Sequence, residues 1–74
     1  MNWTTADLRY MANACFNEGA NLAEWEVEKY ATELENRIGE APTEDQVIAY
    51  AVSEHRARRD HEYGSLAKFS TAAF

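Results

Sequence analysis

Residues 21–38 read NLAEWEVEKYATELENRI, and this stretch decides the fold. Ala23, Val27, Ala31, Leu34 and Ile38 recur at three- and four-residue intervals, the period of one face of an α-helix. Glu24, Glu26, Glu28, Glu33 and Glu35 ring the remaining surface. Trp25 projects roughly 160° from the apolar stripe at about 100° per residue. A large aromatic on the far side of its own helix needs a second cover, either from another part of the chain or from a partner. Asn21 and Glu24 have capping-box spacing, which starts this helix at 21, and Gly39 stops it.

Upstream, Thr4 is a natural N-cap, and Asp7 three residues later favours the positive end of the helix dipole. Trp3 and Leu8 stand at the two positions of a hydrophobic staple. Leu8, Met11, Ala12, Cys15 and Phe16 follow as an apolar stripe, and Gly19 supplies a left-handed stop. Downstream, the stiff connection Gly39–Pro42 leads to Thr43 and Gln46, a second capping box. Val47, Ile48, Ala51 and Val52, continuing towards His55 and Tyr63, give the next apolar face, and Gly64 closes it. Ser65 then caps a last short segment holding Leu66, Ala67, Phe69 and Phe74.

No stretch alternates apolar and polar residues as a half-buried strand does. The expected fold is all-α: a three-helix bundle with helices near 4–18, 21–38 and 43–63, plus a short C-terminal helical segment near 65–73. Residues 1–74 make a single domain, because a chain this short has no room for a second core. A domain of this size buries only about 60% of its unfolded surface, so docking or oligomerisation is a natural supplement.

The net charge of −6 is uneven. Residues 18–45 carry nine acids against Lys29 and Arg37, whereas residues 46–74 carry Arg56, Arg58, Arg59 and Lys68 against three acids. This disfavours direct nucleic-acid binding, which requires cations to neutralise phosphates. A helix-turn-helix reading of the first two helices fails on the same ground, since its recognition helix would open with Glu24, Glu26 and Glu28. The antiparallel second and third helices should bring those glutamates beside Arg56, Arg58 and Arg59, consuming part of the acidity in cross-helix pairs. Glu33, Glu35, Glu40, Glu44 and Asp45 would then be the exposed acidic end. The lone Cys15 falls on an apolar stripe and reads as a small buried hydrophobe. No apolar run reaches the about 18 residues of a membrane span, and no basic-then-apolar leader opens the chain. The expected location is the cytoplasm.

Catalysis finds no foothold. His55 and His61 are six apart, so they diverge on one helix, whereas ligation from one helix wants spacings of three or four. Each glycine closes a helix instead of cradling a phosphate. The cluster His55–Arg59 is accounted for by the negative end of its own helix and by i, i+4 partners. The outward aromatics carry the lead. Tyr10 lies opposite the first stripe, Trp25 opposite the second, and Tyr50 away from Ile48 and Val52. Trp and Tyr are enriched at interface hot spots.

The expectation is a small acidic, non-enzymatic interaction module with no cofactor or metal. It would be an inhibitor or adaptor docking on a larger protein of basic or mixed surface, in keeping with a phage or mobile-element accessory. Trp25, Tyr50 and Tyr10 would be its anchors, and Glu26, Glu33 and Glu35 its acidic rim. Self-association through the same rings is compatible with this. The competing expectation is an acidic nucleic-acid mimic whose carboxylates block the basic groove of a nucleic-acid-binding protein.

Overall fold

Local hydrogen bonds set where the helices begin, and at two of the three starts they are exchanged in both directions. The Thr4 hydroxyl accepts from the Asp7 amide while the Asp7 carboxylate accepts from the Thr4 amide, each at 3.1 Å. Thr43 and Gln46 repeat the exchange at 2.8 and 3.2 Å. Thr4 is the N-cap its sequence signature suggests, with Asp7 completing a full box, and the Thr43 box stands where its spacing puts it. The computed structural model describes the backbone of residues 3–72 and the side chains of residues 3–59. Within those bounds the chain forms α1 (Thr5–Asn17), α2 (Glu24–Ile38) and α3 (Glu44–Ala72), with no strand among the described residues. Trp3 packs on the core cluster that contains Leu8, as the staple requires.

The middle helix starts later than its sequence suggests. Ala23, not Asn21, is its N-cap, and Glu26 reaches back to accept from the Ala23 amide at 3.0 Å. Alanine has no acceptor to offer in return, so only one half of the box forms. The preceding residues are instead spent on closing α1. Gly19 takes a left-handed φ of 89°. Its amide donates to the Phe16 carbonyl at 2.9 Å, and the Ala20 amide donates to the Cys15 carbonyl at 2.8 Å. This pair of bonds is a Schellman closure, and its accompanying apolar contact falls on Ala20 and Cys15, both buried. Leu22 is buried as well, so the connection between α1 and α2 belongs to the core. Gly39 ends α2 in the left-handed region at φ 76°, its amide donating to the Glu35 carbonyl at 2.9 Å.

The three helices pack on one another around Leu8, Met11, Cys15, Val27, Tyr30, Ala31, Val47, Ala51 and Val52. The stripes differ from their sequence patterns in two respects. Phe16 and Ile38, expected inside, are exposed, and Ala23 is exposed at the helix start. Tyr30, outside the expected stripe, is only 3% exposed. The returning connection fills the space beside Cys15 with Ala20 and Leu22, and α2 turns its Val27–Tyr30–Ala31 face inward.

Gly64 does not stop α3, which runs unbroken to Ala72. The separate segment expected near 65–73 is therefore the continuation of the third helix. A glycine costs a helix roughly 0.5–1 kcal/mol but ends it only where the chain turns left-handed. Leu66, Ala67 and Lys68 beyond it are good helix formers. At about 1.5 Å per residue, the 29 residues of α3 span about 43 Å, twice the reach of α1 or α2.

Candidate functional site

The first turn of α2 is held from three sides. Glu26 caps Ala23, Arg9 Nε on α1 donates to Glu24 Oε1 at 3.2 Å, and Val27 enters the core fully buried. Trp25 stands among these anchored neighbours yet is 68% exposed. The helix register that buries Val27, Tyr30 and Ala31 leaves the indole nowhere to go but outward. Tyr10, 57% exposed, lines an open depression between α1 and the start of α3, together with Thr43, Glu44 and Asp45. Phe16 adds a third exposed ring at 63%, in the last turn of α1. The spacing that put Phe16 on the apolar stripe with Cys15 did not reveal its exposure, because stripe spacing alone does not say how wide a face the bundle covers.

Tyr50 is a different case. It is half-buried against the core cluster, its hydroxyl donates to Glu33 Oε2 at 3.3 Å, and its ring meets Tyr30 edge-on with centroids 6.1 Å apart. The Arg37 guanidinium lies 5.6 Å from the Tyr50 centroid. An aromatic expected to face a partner is thus part of the α2–α3 seam. The antiparallel hairpin brings α2 over it and supplies the cover that its position on α3 alone does not reveal.

The acidic residues are likewise more committed than their count suggests. Glu26 is spent on its cap and Glu33 on the Tyr50 hydroxyl, and both, with Glu35, are half-buried. Three of the residues expected in cross-helix pairs, Glu24, Arg56 and Arg58, make other contacts. Glu24 goes to Arg9 on α1, Arg56 Nη2 donates to the Glu18 carbonyl at 2.9 Å, and Arg58 sits 5.4 Å from the Tyr30 ring centroid. Arginine suits these places because its planar, weakly hydrated head both stacks and donates. Glu40 and Asp45 remain exposed at the α2–α3 turn.

No protein-family model, curated protein or solved structure matches the chain. Its chemistry is therefore read from its own residues. Among the described residues no three His, Cys, Asp or Glu side chains gather as metal ligands. His55 is half-buried on α3, and His61 lies outside the described side chains. No helix of the described residues is long and apolar enough to cross a membrane. Cys15 is buried, and burial first, with the Glu18 carboxylate second, pushes its thiol up from an ordinary 9.0. A thiol in that state is a packing group, not a nucleophile. Burial likewise pushes the Tyr30 hydroxyl up, with Arg58 opposing and Glu33, Glu26 and Glu54 reinforcing. What the surface offers is aromatic area: Trp25, with Tyr10 and Phe16 elsewhere on the molecule.

Proposed function

We propose that this chain is a non-enzymatic docking module that binds another protein through Trp25. One observation carries this reading: an indole 68% exposed on a helix turn whose other residues are all engaged. Nothing in the cap, the Arg9–Glu24 pair or the Val27 contact requires a tryptophan there, and a lysine would serve the fold as well. Withdrawing such a ring from water is worth about 2–4 kcal/mol, a hot-spot magnitude. The ring nitrogen also offers one directional donor. Around Trp25, exposed Glu28 and Lys29 form a mixed polar rim, the usual surround of an anchoring ring. Tyr10 is a secondary contact, whereas Tyr50, Glu26 and Glu33 serve the monomer and shape the surface indirectly. A cytoplasmic inhibitor or adaptor role, of the kind a phage or mobile-element accessory protein plays, suits a chain that works by occupancy.

The experiment is capture of partners from a lysate by the tagged chain and by Trp25→Ala. Sedimentation and far-ultraviolet circular dichroism of both proteins accompany it. The expected result is a partner, or a second copy of the chain, lost on substitution while helicity and melting temperature hold. A variant that folds and still binds equally well overturns the assignment of Trp25. A variant that unfolds shows that the indole belongs to the core.

A further inference from the structure

We draw no further inference here: the strongest candidate, the open depression between Tyr10 on α1 and Thr43, Glu44 and Asp45 at the start of α3, is an exposed ring beside an acidic helix N-terminus, and nothing in the structure shows what covers it.

Discussion

The Tyr50 hydroxyl donates to the Glu33 carboxylate at 3.3 Å, joining α3 to α2 across the seam where Tyr30 also packs. The contact assigns Tyr50 to stability. Tyr50→Phe removes one part-buried hydrogen bond and should cost about 0.5–1.5 kcal/mol. Tyr50→Ala also removes the edge contact with Tyr30 and the Arg37 stacking, for about 2–3 kcal/mol, less than a fully buried aromatic. At roughly 4–8 °C per kcal/mol for a domain of this size, thermal melting separates the two variants. An alanine variant that melts like the parent would remove Tyr50 from the fold and return it to the surface.

Trp25→Ala should behave in the opposite way. Its ring is mostly in water, so the folded state loses little, within about 0.5 kcal/mol by urea titration. Tryptophan emission supports the same test. With Trp3 half-buried and Trp25 exposed, the substitution should remove the red-shifted, readily quenched component and leave the bluer one. A loss of blue emission instead would mean that Trp25 is the sheltered ring.

The parts legible in the sequence are those that short-range chemistry decides. The cap at Thr4, the box at Thr43 and the left-handed Gly19 and Gly39 are contacts between residues no more than five apart, so side-chain type and spacing suffice. Trp25 was legible too, because an angle of roughly 160° from the stripe is outside for any plausible packing. Tyr30 and Tyr50 were not. Tyr30 lies at the edge of its stripe and Tyr50 beyond the edge of its own, and the packing of α2 against α3 decides how far round each helix is covered. The start of α2 escaped for a local reason: Asn21 offers a good cap, but the Schellman closure of α1 claims the chain through Ala20 and delays the helix to Glu24. Gly64 misled because glycine weakens a helix without necessarily stopping it.

Two glycines give opposite predictions. Gly39 sits at φ 76° with nothing within 4 Å of an added Cβ, so Gly39→Ala meets only backbone strain, about 1–2 kcal/mol of destabilisation. Gly64 lies inside the helical run of α3, where alanine should be favoured by about 0.5–1 kcal/mol. Circular dichroism at 222 nm should therefore show more helix for Gly64→Ala and earlier melting for Gly39→Ala. Reduced helicity in Gly64→Ala would place a true helix end at that residue.

Cys15 and Tyr30 predict alkaline sensitivity. Both groups are pushed up in the folded chain, from ordinary values of 9.0 and 10.0, chiefly by burial. A raised acid favours the folded state while it remains neutral. The contribution is therefore whole well below pH 9.0, where the unfolded thiol is half-ionised, and fades as pH rises through the folded values. Melting temperature should fall above that point, and Cys15→Ala should soften the first part of the fall. At pH 8 the native thiol should resist iodoacetamide until denaturant is added. Rapid, complete labelling of the folded chain would show the sulfur to be accessible.

Salt separates the two modes of binding open to an acidic chain. A complex anchored by an indole depends on apolar burial and should weaken only a few-fold between 50 and 500 mM salt, where the Debye length falls from roughly 14 to 4 Å. A nucleic-acid mimic relies on rows of carboxylates and should lose affinity steeply over the same range, with charge reversal at Glu33 and Glu35 abolishing it. Glu33 is tied to Tyr50, so its reversal also loosens the α2–α3 seam and must be read against melting temperature. Glu40→Lys is the cleaner variant, because that side chain is exposed in the α2–α3 turn. A captured partner whose affinity resists salt and tolerates Glu40→Lys, yet vanishes with Trp25→Ala, fits the aromatic anchor. The reverse pattern would make charge, and not the indole, the basis of recognition.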